Sequence, residues 1–235
     1  MEKKALESLV KNYGERYSEI LRINLTGKED KEIFKWFLAS VLFGAPIMES
    51  SVIKTYKCFE KQEVLTPNRI LETGWDGLVE ILDEGGYTRY DFKTADKLLE
   101  VMRNFAEKYH GSPNELHEEA SDMRDLENRL KSLGKGIGDV TVRIFLRELR
   151  GIWKKAAPDP TALVVTAAKN LGIISNEAVE NALEQLEHFW AENRVTGRSF
   201  VNFETALLRI GKNFCRKRRC ASCPVKNLCS NPMVP

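Results

Sequence analysis

Four of the five cysteines of this chain lie in its last 21 residues, and this clustering constrains the fold more than any other feature. They follow the pattern Cys215-x4-Cys220-x2-Cys223-x5-Cys229. Thiols this close in sequence cannot be spread through a core, so they either bind one metal centre or pair as disulfides. The fifth, Cys58, stands alone in an apolar helical pattern and is expected to be a buried structural thiol.

The composition favours metal binding over disulfides. Hydrophobic residues make up 43% of the chain and charged residues 30%, as in ordinary globular proteins. No apolar run reaches membrane-spanning length, and the first residues lead directly into a mixed-charge amphipathic stretch. We therefore expect a cytoplasmic protein with no membrane contact, nucleoid-associated if prokaryotic. Clustered cysteines in a reducing compartment are more often ligands than disulfides.

The spacing of the cysteines favours iron over zinc. Structural zinc sites usually combine two Cys-x2-Cys knuckles, or one knuckle with a pair of histidines. This chain has one knuckle, Cys220 with Cys223, and no histidine follows His188. A [4Fe–4S] cluster held by four thiolates suits the compact pattern better. Zinc and disulfides remain the alternatives.

Helical periodicity runs through the chain, and strand signals are nearly absent. Apolar residues of the first stretch recur at three- and four-residue steps, at Leu6, Leu9, Val10, Tyr13 and Tyr17. Glycines at Gly74 and at Gly85-Gly86 interrupt the pattern. Further helices are predicted near 122–133, 138–149, 160–172, 176–192 and 199–212. The sequence therefore predicts an all-α protein.

A glycine turn separates two of these helices. An apolar helix ends at Gly134, the turn Gly136-Ile137-Gly138 follows, and a second apolar helix begins at once. Glycines allow the left-handed dihedrals of a tight turn, and the N–H groups at the new helix start suit a phosphate oxygen. Lys131, Lys135 and Arg143 add positive charge nearby. Taken alone, the segment is equally compatible with an ordinary αα-hairpin.

An aspartate follows about twenty residues after the turn, in Ala157-Pro158-Asp159-Pro160-Thr161. Asp159 and Pro160 are a good N-cap and N1 pair for the next helix, which is the structural interpretation. A carboxylate held at a helix start can also carry chemistry.

The glycine turn, the later aspartate and the cysteine loop, in this order, resemble the helix-hairpin-helix (HhH-GPD) DNA glycosylases of the endonuclease III type. Gly85-Gly86-Tyr87 and the following Lys93–Lys97 are similar to the family's wedge loop and next helix. The segment from Cys220 to Cys229 is similar to its cluster loop. The likeness covers most of the chain.

The resemblance implies two helical domains that flank a DNA-binding groove. The central domain would span 30–152, and 1–29 with 153–235 would form a second domain that carries the [4Fe–4S] cluster. By position, Asp159 would be the catalytic carboxylate that stabilises the developing sugar cation. The target base would be flipped into a pocket. The hairpin would contact DNA through Lys135, Gly136, Ile137, Gly138, Val140 and Arg143.

Three positions depart from the family pattern. Members that also cleave the strand carry a lysine two residues after the second glycine, where this chain has Val140, so no Schiff base can form there. The segment Gly44–Met48 falls where related enzymes place a glutamine, whose side chain fills the gap left by the flipped base. In this chain an apolar side chain would have to fill that gap. Four residues, against the usual six, separate Cys215 from Cys220.

Two further features are expected to contact DNA. The shortened cysteine loop holds four consecutive cations, Arg216, Lys217, Arg218 and Arg219, which can neutralise phosphates; a solvated basic loop is the alternative. Tyr87, in the wedge-loop region, is the expected intercalating side chain.

These features together predict a monofunctional DNA N-glycosylase of base excision repair, in which water attacks the sugar. We expect a monomer that acts on double-stranded DNA with a damaged or mismatched base. Two alternatives remain: a relative that binds damaged DNA without cleaving it, and a bifunctional glycosylase/AP lyase that uses a displaced lysine.

Overall fold

The computed structural model of the chain describes residues 2–175 and 181–230. In these ranges the regular elements are helices, which confirms the all-α prediction. The α-helices are α1 Lys3–Tyr13, α2 Tyr17–Ile20, α3 Asp30–Phe43, α4 Glu49–Lys61, α5 Pro67–Gly85, α6 Asp91–Tyr109, α7 Pro113–Glu119, α8 Met123–Lys131, α9 Asp139–Leu149, α10 Ala162–Asn170, α11 Ala182–Glu192 and α12 Phe200–Ile210. A π-helical turn, Gly211–Cys215, and a 3-10 turn, Lys226–Leu228, follow α12.

The helix expected over 176–192 is α11 from Ala182 onward, and 176–180 lie outside the described residues. No described helix combines the length and the apolar character that a bilayer crossing requires.

The helices group into two units. The central unit spans Ser18–Pro158, and the terminal unit combines Met1–Tyr17 with Asp159–Pro235. The domain boundaries expected from the family resemblance, 30–152 and 1–29 with 153–235, stay a prediction.

Helix α3 forms the core of the central unit. It is buried on nearly every face from Ile33 to Leu42, as expected of a helix that is apolar all round. The Phe37 ring lies 5.7 Å from Phe105 of α6 and 5.3 Å from Phe145 of α9, measured between centroids. Trp36 Nε1 donates to the Phe145 carbonyl oxygen at 3.0 Å. Aromatic packing thus joins α3, α6 and α9.

The predicted break near Gly74 is confirmed. Gly74 lies inside α5 with φ 68° and ψ −178°, a conformation that divides the helix into two segments. An L-residue with a side chain rarely adopts these angles, so glycine is needed there. Gly86, with φ 91°, ends α5 in the left-handed region.

Helix α12 organises the terminal unit. Asn202 Nδ2 donates to the Gly14 carbonyl oxygen at 2.8 Å, and Arg209 Nη1 donates to the Tyr13 carbonyl oxygen at 2.7 Å, which fixes the end of α1. Against α10, Gly211 approaches so closely that a Cβ would overlap the Leu163 carbonyl oxygen. These contacts place the π-helical turn, and with it Cys215, beside α10.

Candidate functional site

The glycine turn forms a hairpin between α8 and α9 of the central unit. Gly136 has φ 92° and is exposed, and Gly138 is the N-cap of α9 without a side-chain cap. The first α9 amide to bond within the helix is that of Val142, which donates to the Gly138 carbonyl oxygen at 3.1 Å. In the described chain, the N–H groups of 139–141 have no backbone or side-chain acceptor, which is the arrangement that attracts anions.

Helix α6 holds this hairpin in place. Asn104 Nδ2 donates to the Leu133 carbonyl oxygen at 2.8 Å, and Glu100 Oε1 accepts from the Lys135 backbone N–H at 3.1 Å. A Cβ on Gly134 would lie 2.7 Å from Cγ2 of Val101. The turn is therefore a supported element and not a free loop.

Lys97 of α6 is a candidate site residue that the sequence did not identify. Its side chain lies across Gly136, where a Cβ would be 2.8 Å from Cε and 3.4 Å from Nζ. The ammonium group has no hydrogen-bond or ion-pair partner among the described residues. Burial lowers the pKa of Lys97 below its usual range. The segment Lys93–Lys97 belongs to the family resemblance, but only the tertiary contact places Lys97 on the turn.

The side chains predicted to contact DNA at the hairpin have different surroundings. Lys135 is exposed, and Val140 is 62% exposed. Arg143 is half-buried in the first turns of α9. Ile137 is buried, so its side chain anchors the turn to the core.

Lys131 is engaged in an ion pair across the hairpin. Its Nζ lies 2.6 Å from Asp139 Oδ1. The hydrogen bond and charge of Lys131 lower the pKa of the Asp139 carboxyl. The negative charge of Asp139 is thus partly offset at the helix start.

The segment Gly44–Met48 lies beside this hairpin. Gly44 packs against Thr141 in the first turn of α9, where a Cβ would overlap Oγ1. Met48 is 72% exposed. The structure therefore places an exposed apolar side chain on a segment that adjoins the start of α9.

The placement of Tyr87 corrects our expectation. The ring is 1% exposed, and its hydroxyl donates to the Leu42 carbonyl oxygen. Burial raises the pKa of the Tyr87 hydroxyl. Tyr87 is therefore a core residue in this structure, in place of the exposed wedge that we expected, because the turn after α5 directs its side chain toward α3.

Asp159 lies before α10 in the terminal unit, and it does not cap that helix. The N-cap is Thr161, whose Oγ1 accepts from the Val164 N–H at 3.4 Å. Asp159 is exposed, and its carboxylate has no partner within the described ranges. The predicted Asp159–Pro160 cap is therefore wrong, because the helix starts two residues later than expected, and the carboxylate is left free.

Asp159 lines a cavity of about 680 Å³ in the terminal unit. The other lining residues come from α10, from α11 and from the residues before each, and comprise Pro160, Ala162, Val165, Thr166, Lys169, Asn181, Ala182, Leu183, Glu184 and Glu187. The free carboxylate thus stands at a concave, mixed polar and apolar surface.

Asn170 joins the two ends of the cysteine loop. Its side-chain Nδ2 donates to the sulfur of Cys215 at 3.6 Å, and its carbonyl oxygen accepts from the Ser230 N–H at 2.7 Å. Between these points, the Cys223 N–H donates to the Cys220 carbonyl oxygen at 3.1 Å. The loop is consequently closed on the C-terminal end of α10.

The four thiols of the loop are free and influence one another. Burial raises the pKa of the Cys215 thiol, and the hydrogen bond from the Asn170 amide lowers it. The neighbouring thiols of Cys223, Cys229 and Cys220 also raise the pKa of Cys215. Burial also raises the pKa of Cys223, against a hydrogen bond from the Val225 N–H. Cys58 is buried in α4, as expected.

The donor set fits a thiolate-bound cluster in type and number. Four cysteines of one loop, with N–H groups directed at two of the sulfurs, are the ligands and hydrogen bonds that iron–sulfur clusters take. In the described part of the chain, no three His, Cys, Asp or Glu side chains are close enough together to hold a metal ion. The thiols thus share a loop and are not gathered around one point.

The four cations of the loop all face solvent. Arg216, Lys217, Arg218 and Arg219 are exposed, and none of them has an ion-pair partner within the described ranges. Arg218 has φ 51°, so the chain turns sharply within the run. The loop therefore presents four unneutralised positive charges.

No known protein family and no curated protein matches the sequence of this chain. The likeness to glycosylases accordingly depends on the motif residues described above.

The contact between Lys97 and Gly136 predicts a measurable coupling. Gly136→Ala is expected to destabilise the protein by about 1–3 kcal/mol, because an alanine meets both an unfavourable φ and the Lys97 side chain. In Gly136→Ala/Lys97→Ala only the backbone strain remains, so the coupling energy should be about 0.5 kcal/mol or more. Urea unfolding of the two single variants and the double variant measures it.

Gly138→Ala is the matched control for this cycle. Gly138 has φ −108°, and a Cβ there meets nothing within 4 Å. Alanine is a poorer N-cap than glycine, so Gly138→Ala should cost up to about 1 kcal/mol, but this cost should add to that of Lys97→Ala without coupling. Strict additivity of the Gly136 and Lys97 substitutions would show that the packing of Lys97 on the turn does not matter.

Proposed function

We propose that this chain is a monofunctional DNA N-glycosylase of base excision repair, of the endonuclease III type. The observation that carries the proposal is the hairpin tip, where exposed glycines, free amides at the start of α9 and the unpartnered Lys97 ammonium occur together. Such a tip is suited to a backbone phosphate of double-stranded DNA. The free carboxylate of Asp159 in the same chain is suited to stabilising the cationic sugar that forms when the base leaves.

The hairpin would bind one phosphate through backbone N–H groups. Gly138 has open space where a Cβ would be, so a phosphate oxygen can approach the backbone closely. Lys135 and Lys97 supply positive charge at the same turn. Contacts of this kind position a duplex and carry no base specificity.

Asp159 would act on the sugar. As the bond between base and C1′ breaks, its electron pair leaves with the base and the sugar becomes cationic. A nearby carboxylate stabilises that cation and orients a water molecule, whose oxygen then bonds to C1′ while its proton passes to the carboxylate. The absence of any hydrogen bond or ion pair to Asp159 in the described chain leaves the carboxylate free for this role.

Val140 supports hydrolysis over strand cleavage. A lyase needs an amine that forms a Schiff base with C1′. The position expected to carry that amine holds an apolar side chain that is 62% exposed. Of the two lysines that precede the turn, Lys131 is ion-paired with Asp139.

The cysteine loop would hold a [4Fe–4S] cluster through Cys215, Cys220, Cys223 and Cys229. A bound cluster would supply a rigid cross-link for the loop. The chain itself presents Arg216–Arg219 from this loop to the solvent, where these cations can neutralise DNA phosphates.

A bifunctional glycosylase/AP lyase is the second candidate, and Lys97 is the observation that favours it. A lysine whose pKa is lowered by burial carries more of the nucleophilic neutral amine at neutral pH. Borohydride trapping of a covalent protein–DNA adduct, lost in Lys97→Arg, would identify this activity. A relative that only binds damaged DNA would release no base at all.

Asp159→Asn is expected to lower base release by at least about 100-fold, because the amide cannot stabilise the sugar cation as a carboxylate does. Duplexes with uracil, a thymine mismatch, an alkylated purine or 8-oxoguanine are incubated with the protein, and alkali then cleaves the abasic products. Glu187→Gln, which changes another carboxylate of the same cavity, is the control and should retain more activity. Equal activity of Asp159→Asn and the parent would contradict the catalytic role.

Each of the four loop cysteines should be needed for iron. Cys220→Ser and Cys229→Ser are expected to lose most of the bound iron and the absorption near ~400 nm that thiolate-ligated iron shows. Cys58→Ala, at a buried thiol outside the loop, should keep its iron content. A colourless protein with stoichiometric zinc would show that the loop holds zinc and not an iron–sulfur cluster.

Replacing Arg216–Arg219 by alanine should weaken duplex binding similarly for all sequences. Because each phosphate contact contributes about 0.9 to the slope of log K against log salt, the slope should fall by up to about 3.6. Arg69→Ala is the control, since Arg69 is an exposed cation already paired with Glu72. An unchanged slope would exclude the loop from the DNA interface.

A further inference from the structure

A small cavity of about 220 Å³ lies between the end of α2 and one face of α4, within the central unit. Drug-sized ligands usually occupy cavities of about 300–1,000 Å³, so this cavity suits a smaller molecule. It is separate from the hairpin, from the cavity at Asp159 and from the cysteine loop. Two segments supply its lining, which comprises Ile20, Leu21, Arg22, Tyr56, Lys57 and Glu60.

Tyr56 brings a hydroxyl without a partner to this cavity. The side chain is 1% exposed, and its hydroxyl makes no hydrogen bond within the described ranges. Burial raises the pKa of the Tyr56 hydroxyl, and the charge of Glu60, another lining residue, raises it further, so the hydroxyl stays neutral. A buried hydroxyl is normally hydrogen-bonded, because leaving it unpaired costs free energy. The Tyr56 hydroxyl is therefore available as both a donor and an acceptor for a ligand.

Arg22 stands at a backbone position that favours glycine. Its φ is 57°, and its N–H donates to the Glu19 carbonyl oxygen at 3.0 Å. The next N–H, that of Ile23, donates to the Ser18 carbonyl oxygen at 2.9 Å. These two bonds form the Schellman motif that ends a helix, and its left-handed residue is usually glycine. The guanidinium of Arg22 has no partner in the described chain, so no contact within the protein explains an arginine at this position.

The charged side chains of the lining do not pair with one another. Arg22, Lys57 and Glu60 make no ion pair within the part of the chain that the structure describes. Glu32 also raises the pKa of the Tyr56 hydroxyl, but its carboxylate is ion-paired with Lys35 at 2.6 Å. The lining thus offers two positive charges, one negative charge and a neutral hydroxyl, and no ion pair closes the space between them.

We propose that this cavity binds a small zwitterion of the amino-acid class, whose carboxylate pairs with Arg22 and Lys57 and whose ammonium group pairs with Glu60. A simple anion would lie beside the unpaired Glu60 carboxylate, which repels it, and a simple cation would lie beside the two positive charges. A zwitterion satisfies both kinds of charge, and the Tyr56 hydroxyl can bond to either end of it. The site is independent of the proposed action on DNA.

Calorimetry of the full chain tests the requirement for both charges. L-alanine and L-glutamate should bind saturably. Propionate, which lacks the ammonium group of alanine, and ethylamine, which lacks its carboxylate, should bind at least about tenfold more weakly. Propionate or inorganic phosphate that binds as tightly as alanine would identify a site for simple anions and overturn the proposal. The absence of saturable binding by both amino acids at millimolar concentration would also overturn it.

Two variants separate ligand binding from stability. Tyr56→Phe removes a hydroxyl that has no partner within the described ranges, so the urea midpoint should not fall, while L-alanine should bind at least about tenfold more weakly. Arg22→Gly places the favoured residue at φ 57°, so the midpoint should hold or rise, and L-alanine binding should again weaken at least about tenfold.

Lys28→Gly is the matched control for Arg22→Gly. Lys28 is an exposed cation with φ 54° that does not line the cavity, so this variant should bind L-alanine as the parent does. Parental affinity in Tyr56→Phe or in Arg22→Gly would refute the site. A lower urea midpoint in Tyr56→Phe would show that the hydroxyl serves the fold instead. DNA binding and base release should be unchanged in all three variants, so this site and the proposed function can fail separately.

Discussion

The close approach of α6 to the glycine turn is the constraint on which the candidate interface depends. Gly134 admits Val101, and Gly136 admits the Lys97 side chain, at distances that a Cβ would not allow. Hydrogen bonds from Asn104 and to Glu100 hold the same turn. Because the turn is fixed from one side by α6, its other side and the first amides of α9 remain available to a ligand.

A comparable closure organises the cysteine loop. Asn170 binds both ends of the loop, through its side chain at Cys215 and through its carbonyl oxygen at Ser230. The π-helical turn that precedes the loop rests on α10, because Gly211 has no side chain to separate them. Both ends of the loop are therefore fixed against α10, and its four cations are exposed to solvent.

The charged residues of greatest functional interest are those that the fold leaves without partners. Lys131 and Asp139 neutralise each other at the hairpin. Lys97, Asp159 and the run Arg216–Arg219 have no such partner in the described chain. An exposed charge without a protein partner is usually solvated by water. These charges are candidates for phosphate binding and catalysis because they lie at a turn, at a cavity and on a loop.

The sequence by itself determined the helices, the break at Gly74 and the position of the glycine turn, because apolar periodicity and glycine dihedrals are local properties. It also identified the four cysteines as one loop. Only the tertiary structure decided that Tyr87 is buried, that Thr161 and not Asp159 caps α10, and that Lys97 covers Gly136. The burial of Tyr87 and the position of Lys97 depend on where a side chain meets an element distant in sequence, and no local pattern encodes that meeting. The cap of α10 is a local choice between neighbouring residues, and the structure settles it in favour of Thr161.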